Sequence, residues 1–476
     1  MLEQSPHSGS ALYNDSKLPH ITTVIDAGLM AEHFARYLRA ASPELEWKVA
    51  GCAIENVIYK PAKHCRLLYR LTLRHPSGAA AEEWFYGQLY PSSMGEKRFD
   101  DAAAAVKHSY VAHDFLKGLR PVSFWPDLSM VLWMFPQDPQ MPALPYLFDP
   151  DFVRQHVKAN LPTIAGLENG DMRNWRCTGI RCDRVKYMPG KRCVLRYHVQ
   201  LAGPSGSSRE ITFYSKTYND AMSRYYFQFL RNVYEQLITQ TTAVHIPRPL
   251  LYLEGLNTFW QEDWKGASLS RVINELDWDD IFPRIAQALA AWHRIQDTDL
   301  RAGPDLDDVL KTADEDGLKL VNKMPQLQPL VSTALERLKT ARATLDQHKI
   351  PAVPIHGAIR LSQMLVRGVE LALVDLDDVA LGDPLFDVAE FIASLQYSEL
   401  RSSRSHQQIT KATELLITNY AEHVPWPCDR SRLAWYAVAF LINKMCSSAK
   451  HRDVSTLQQL EATGQELVNS WLELID

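Results

Sequence analysis

The feature that most restricts the fold of this chain is an internal repeat with an offset of 128 residues. The segment VIYKPAKHCRLLYRLTL matches VKYMPGKRCVLRYHVQL without a gap, which places Tyr59 opposite Tyr187. The same register extends to EEWFYGQLY and EITFYSKTY, so that Gln88 falls opposite Lys216. So many ungapped matches predict a duplicated structural unit.

Each copy of the repeat has the pattern of a small antiparallel sheet. In the second copy, apolar residues alternate with polar ones on both sides of a Pro-Gly turn, which predicts a β-hairpin. ITFYSKTY supplies a third strand, DAMSRYYFQFLRNVYEQLI a helix, and IPRPLLYLEGLNTFWQEDW a second hairpin. We therefore expect five strands with one helix packed on them.

After residue 265 the pattern changes to helices. Ile281, Ile285, Leu289 and Trp292 share one helical stripe, and RLAWYAVAFLINKM is apolar nearly all round, which is typical of a buried helix. The predicted organisation is an N-terminal segment over 1–45, one copy of the repeat over 46–160, the other over 161–264, and a helical domain over 265–476.

Composition argues against several classes of protein. The 476 residues carry 51 Lys and Arg against 56 Asp and Glu, so a dedicated nucleic-acid binder is not expected. The first residues lack the basic and apolar regions of a signal peptide, and no apolar run approaches the ~20 residues that span a membrane. The seven cysteines show no paired CxxC spacing. We therefore expect a cytoplasmic protein without a zinc site or a membrane partner.

Two segments of the helical part resemble a known family. These are IHGAIRLSQMLV and LALVDLDDVALGDPLFDVAEF, and they resemble the His-Gly-Asp loop and the Gly-Asp-Pro region of the aminoglycoside phosphotransferase-like kinases, which include choline kinases. The resemblance covers roughly Trp175 to Ile475. It implies an α+β, protein-kinase-like fold, with a small antiparallel β lobe and a helical lobe, preceded here by a duplicated, degenerate β lobe.

The resemblance also implies a site for ATP and Mg²⁺. By position, Lys216 would bind phosphate, Glu235 would orient that lysine, and Asp375 would bind Mg²⁺. Asp387 would be structural. The residues beside the adenine would be Gln261, Glu262 and Asp263. Phosphoryl transfer needs these parts because catalysis depends on positioning and charge neutralisation.

Two residues depart from the family pattern at the point of chemistry. Ala358 stands where the family has its catalytic-base Asp, and an alanine cannot accept a proton. Gln363 stands at the metal-binding Asn and keeps an amide oxygen one methylene further out. Asp377 is a possible substitute for the missing carboxylate. In the first copy, the neutral Gln88 replaces the lysine, which favours a structural or partner-binding role for that copy.

Several alternatives remain open from the residues alone. Lysines such as Lys216 often lie at strand edges without a ligand, and an Asp such as Asp375 often only caps a turn. One hypothesis is a phosphotransferase-like protein that binds ATP and Mg²⁺ with weak or no turnover. The other is a pseudokinase that acts as a scaffold. The expected partners are a nucleotide and a small molecule or protein that the sequence does not identify.

Overall fold

The computed structural model describes residues 15–92, 94–106, 108, 114–166, 174–239, 243–296, 299–345, 350–398, 406–449 and 454–475. Residues 1–14 of the predicted N-terminal segment therefore lie outside the described residues. The chain forms two compact units. The first comprises Met1–Tyr225 with Leu250–Glu262, and the second comprises Tyr226–Pro249 with Asp263–Asp476. The predicted division into four sequence segments stays a prediction.

The first unit begins with an antiparallel sheet of the order β1-β2-β3-β5-β4. Its strands are β1 (Lys48–Lys60), β2 (His64–Arg74), β3 (Ala80–Leu89), β4 (Val122–Trp125) and β5 (Met130–Met134). Its helices are α1 (Ile21–Val24), α2 (Ala27–Ala41) and α3 (Gly95–Ala105). Met30, Phe34 and Leu38 form the buried stripe of α2, and they share one core with Tyr69 and Phe85 of the sheet. The N-terminal segment thus contributes to the packing of this sheet.

A second sheet in the same unit has the equivalent order β6-β7-β8-β10-β9. Its strands are β6 (Arg176–Met188), β7 (Arg192–Ala202), β8 (Ser208–Tyr218), β9 (Pro249–Leu253) and β10 (Thr258–Glu262). Helices α4 (Leu144–Phe148), α5 (Pro150–Ala159) and α6 (Leu161–Ala165) precede it, and α7 (Met222–Thr239) follows β8. The hairpins, the third strand and the following helix are where the alternation of apolar residues predicts them.

An aspartate fastens the β1–β2 hairpin of the first sheet. Asp15 Oδ2 accepts hydrogen bonds from Tyr59 Oη at 2.8 Å and from the backbone N–H of Ala62 at 2.7 Å. Ala62 occupies the left-handed region, with a φ of 57°. We call this arrangement of an aspartate, a tyrosine and a left-handed turn residue a clasp.

The same clasp recurs in the second sheet. Asp138 Oδ2 accepts hydrogen bonds from Tyr187 Oη and from the backbone N–H of Gly190, each at 2.8 Å. Gly190 has a φ of 66°, which glycine adopts without steric cost. Tyr187 and Gly190 stand 128 residues after the members of the first clasp. Both sheets therefore fix their first hairpin with the same chemistry at the same register.

The second unit is mainly helical. Its helices beyond α7 are α8 (Leu269–Val272), α9 (Trp278–His293), α10 (Leu306–Lys323), α11 (Gln328–Leu345), α12 (Pro384–Ser398), α13 (His406–Glu422), α14 (Arg430–Ala449) and α15 (Val454–Leu472). Its short strands are β11 (Ala267–Ser268), β12 (Val353–Ile355), β13 (Met364–Arg367), β14 (Glu370–Leu373) and β15 (Ala380–Gly382). The predicted stripe of α9 and most of α14 are buried. The α+β fold class is confirmed.

No helix within the described ranges is both long and apolar enough to cross a membrane.

Candidate active site

Lys216, the residue proposed to bind phosphate, lies on β8 of the second sheet. It pairs with Val194 of β7 and Phe259 of β10, and only 8% of its surface is exposed. Burial of a lysine is uncommon because the ammonium group loses its hydration, so such a side chain normally faces a partner or a ligand. Gln88 is 7% exposed at the matching register of the first sheet.

The three residues predicted beside the adenine lie at the end of β10. Gln261 is buried and pairs with Tyr214 in the sheet, and Glu262 is the last residue of the strand. Asp263 follows, with a side chain that is 10% exposed and a carboxylate oxygen 3.1 Å from Lys265 Nζ. These residues form a short extended segment, and their contact with adenine stays a prediction.

Glu235, predicted to orient Lys216, lies on α7. Its carboxylate oxygen is 3.7 Å from Arg231 Nη2, one helical turn earlier, and the side chain is 64% exposed. An exposed ion pair of this kind contributes little stability. The role of Glu235 toward Lys216 stays a prediction.

Asp387 holds the loop that carries the His-Gly-Ala motif. Its Oδ2 accepts from the backbone N–H of His356 at 2.6 Å, and its Oδ1 accepts from that of Gly357 at 3.0 Å. His293 Nε2 donates to the same carboxylate at 3.1 Å, and its Nδ1 is 2.7 Å from Tyr420 Oη. Asp387 and His293 are fully buried. The carboxylate therefore fixes the loop backbone, which is the structural role expected for it.

Gly357 permits a close approach between this loop and the turn after β14. It has a φ of 78°, and a Cβ atom there would lie 2.4 Å from the backbone oxygen of Asp378. Only glycine fits such a position. The next residue, Ala358, offers no proton acceptor. Asp377, the possible substitute, is 9% exposed, and its use as a base stays a prediction.

Gln363 and Asp375 are brought together by the β13–β14 hairpin. The backbone N–H of Val374, the residue just before Asp375, donates to the backbone oxygen of Gln363 at 3.0 Å. Asp375 has a φ of 63° and begins a short 3-10 turn. Gln363 Oε1 is buried and has no hydrogen-bond partner among the described residues. Such an oxygen is costly to bury unless something else, such as a cation, satisfies it.

His356 also contacts the chain just after β14. Its ring is buried, and Nε2 donates to the backbone oxygen of Val374 at 3.0 Å, while Nδ1 has no hydrogen-bond partner. The histidine thus supports the strand end that carries Asp375. No group of three His, Cys, Asp or Glu side chains is arranged as a metal site anywhere in the described residues.

A charged cluster centred on the buried Glu390 lies behind the same loop, and no pattern in the sequence predicts it. Glu390 Oε1 is 3.6 Å from Arg360 Nε and 3.8 Å from Lys444 Nζ. Burial raises the pKa of Glu390 to about 7, although both cations oppose this, and burial lowers the pKa of Lys444 to about 8. Glu390 follows Asp387 by three residues and so shares its helix face. The spacing was visible in the sequence, but the partners were not.

Comparison with known families agrees with this geometry. Residues 195–415 match the family model described as the phosphotransferase enzyme family, APH. The matched segment begins in β7 and ends in α13. It includes the His-Gly-Ala loop and the residues predicted to bind metal, Gln363 and Asp375. The segment is therefore similar to the phosphotransferase enzyme family. The family resemblance inferred from the motifs is confirmed, and the first sheet lies outside the matched phosphotransferase segment.

Several solved structures are similar to the chain. Amicoumacin kinase hAmiN, in complex with AMP-PNP, Ca²⁺ and Ami, is 10% identical with a TM-score of 0.40, covering 60% of this chain and 88% of its own. A thermostable mutant of aminoglycoside phosphotransferase APH(4)-Ia, with ADP and hygromycin B, is 16% identical with a TM-score of 0.40, covering 63% and 95%. A choline/ethanolamine kinase family protein from Mesorhizobium loti is 13% identical with a TM-score of 0.39, covering 67% and 98%. No curated protein matches the chain.

Proposed function

We propose that this phosphotransferase-family chain binds ATP together with Mg²⁺ and transfers phosphate weakly or not at all. The observation that carries the proposal is the backbone hydrogen bond from Val374, the neighbour of Asp375, to Gln363, whose side-chain oxygen has no partner among the described residues. The side chains of Asp375 and Gln363 offer the oxygen ligands that Mg²⁺ prefers. When bound, the ion would neutralise charge on the nucleotide phosphates.

The remaining residues are proposed to bind and orient the nucleotide. Lys216 would hold a phosphate group, because its ammonium group is largely withdrawn from solvent on β8. Glu235 would orient Lys216 on nucleotide binding. The residues proposed to contact the adenine are Gln261, Glu262 and Asp263. The free state of all seven cysteines suits a reducing compartment such as the cytoplasm.

Weak turnover follows from Ala358. A positioned base accepts the proton of the attacking hydroxyl, and its loss costs typically about 10²–10⁴-fold in rate. Asp377 is the nearest carboxylate in sequence to Asp375 that is also buried, so we propose it as the substitute base. Without such a substitute, the second candidate function is a pseudokinase scaffold, which the additional sheet favours because it enlarges the surface available to a partner.

We further propose that the two sheets are copies of one ancestral unit. Their equal strand order and their two clasps support this. The first β-bulge also falls at matching places, between Val49 and Gly51 in β1 and between Cys177 and Gly179 in β6.

Calorimetric titration of ATP, with and without Mg²⁺, tests the function. We expect Mg²⁺ to strengthen ATP binding to the wild type, and Lys216→Met and Asp375→Asn to abolish it. Lys186→Met is the matched control, since Lys186 is an exposed lysine on β6 of the same sheet and should not change the affinity. No ATP binding by the folded wild type would reject the nucleotide site and leave the scaffold.

A further inference from the structure

The first sheet carries a cavity of its own. It has a volume of about 610 Å³ and opens beside β3, β5 and α3. Gln88 and Trp133 are its buried residues on the sheet side, and Met94 and Arg98 are exposed at its rim. Small-molecule sites typically measure about 300–1,000 Å³. The cavity therefore has the size of a site for one small organic molecule.

Positive charge dominates the polar lining. Lys63, Arg66 and Arg98 line the cavity, against one carboxylate, Asp101. Across the described part of the chain, none of these three cations lies within ion-pair distance of a carboxylate. Unpaired guanidinium groups that face one cavity attract an anion, and their fork geometry suits carboxylate or phosphate oxygens.

Two polar atoms in the cavity wall lack partners within the part of the chain that the structure describes. Arg66 Nε and His64 Nε2 are buried and make no hydrogen bond there. Burial and the neighbouring Arg66, Lys60 and Lys63 lower the pKa of His64 to about 4, so the ring is neutral at neutral pH. A buried donor such as Arg66 Nε without a partner is costly, and a bound oxyanion would satisfy it. Arg66 Nε thus faces the need for a hydrogen-bond acceptor that none of the described residues supplies.

The position of Arg66 is fixed from both sides. In the amide orientation that satisfies its neighbours, Gln140 donates to the backbone oxygen of Gly190 at 2.8 Å and accepts from Arg66 Nη2 at 3.2 Å. The backbone of Arg66 also pairs with that of Gln88 across β2 and β3, which fixes the point at which the side chain leaves the sheet. A preorganised guanidinium loses less conformational entropy when it binds, which strengthens anion binding.

An apolar surface completes the cavity. Trp133 packs with Tyr86, at a ring distance of 5.4 Å, in a small hydrophobic cluster against α3. Tyr90, Pro91 and Ala102 continue the apolar lining. Tyr90, Arg66 and Arg98 line the same cavity, and burial raises the pKa of Tyr90 while the two guanidinium groups oppose this. The cationic and apolar walls therefore face one shared space.

We propose that this cavity binds an organic oxyanion, a phosphate or carboxylate attached to an apolar body. Arg66 and Arg98 hold the oxyanion, and Trp133 and Tyr90 contact the body. Gln88 stands at the register of the lysine in the other sheet and adds a neutral hydrogen-bonding group in place of a further cation. The site is lined by the first sheet, α3 and the turn after β5, and it includes none of the residues of the proposed ATP site.

The test uses phenyl phosphate, benzoate and neutral phenol as probes, titrated calorimetrically into the full-length protein. We expect binding of at least one anion and none of phenol. Arg66→Gln and Arg98→Gln should each weaken anion binding by roughly tenfold, because each removes a charge-assisted hydrogen bond. Arg98 is exposed on α3, so its variant keeps the fold. If phenyl phosphate binds more tightly than benzoate, the natural ligand is assigned as a phosphate. If benzoate binds more tightly, it is assigned as a carboxylate.

Lys216→Met separates this site from the ATP site. Anion binding that persists in Lys216→Met, and that Arg98→Gln weakens, supports the cavity even if ATP does not bind anywhere. Binding that is lost in Lys216→Met but retained in Arg66→Gln and Arg98→Gln would overturn the proposal, and so would an absence of anion binding to the wild type.

Discussion

Replacing Asp387 by alanine should destabilise the helical unit by an amount that its contacts define. The fully buried carboxylate accepts the backbone N–H groups of His356 and Gly357, and His293 donates to it as well. Leaving one buried donor unsatisfied costs about 2 kcal/mol, so the two backbone groups alone predict a loss of about 4 kcal/mol. Asp387→Asn keeps one acceptor oxygen and should lose less.

Urea unfolding of the full chain, followed by hydrogen exchange of residues 353–363, measures this loss. The control is Asp279→Ala, because the Asp279 carboxylate forms an exposed ion pair with Lys411 and should cost less than about 1 kcal/mol. Exchange in residues 353–363 should accelerate only in the Asp387 variants. Equal losses for Asp387→Ala and Asp279→Ala would refute the reasoning, since the buried acceptor would then contribute no more than a surface charge.

Two further predictions concern the loop and the buried cluster. Ala358→Asp should raise the rate of ATP hydrolysis or phosphate transfer by up to about 10²–10⁴-fold. No gain in a folded, ATP-binding variant would mean that position 358 is not where the catalytic base is missing. The raised pKa of Glu390 means that its stabilising contribution is present below its ordinary value of 4.5 and is lost as the pH rises through about 7. Glu390→Gln should therefore flatten the fall in unfolding free energy over this range, measured from urea midpoints, and an unchanged slope would contradict the assigned shift.

The sheets were predictable because their signal is local. Alternation at every second residue defines the strands, and the 128-residue register of Gln88 and Lys216 links the two sheets without any structure. Helix α2 has a comparable signal in Met30, Phe34 and Leu38, spaced four residues apart, but this stripe does not identify the sheet against which it packs. Its partners lie in a sheet that starts after residue 47, and periodicity alone does not say where a stripe packs.

The candidate site was less predictable because it depends on contacts between distant residues. The motif identified Asp375 and Gln363 by position, but no pattern shows that the Gln363 oxygen lacks a partner. Glu390 and Lys444 lie on α12 and α14, 54 residues apart, and only packing brings their charges together. Glu235 was predictable only as a residue on a helix, and a place on a helix does not determine whether a side chain faces a ligand or solvent.

The two sheets have separate hydrophobic cores, and this separation has a consequence for how the chain can change. The buried residues of one core all lie between Leu18 and Met134, and those of the other lie between Phe135 and Trp260. The two sets of buried residues have no member in common, so a substitution in the first core removes no buried side chain of the second. Duplicated genes diverge because one copy is released from the work of the other. On the proposed common origin of the two sheets, the same freedom exists within a single polypeptide, where the first sheet can acquire a new ligand while the second keeps Lys216.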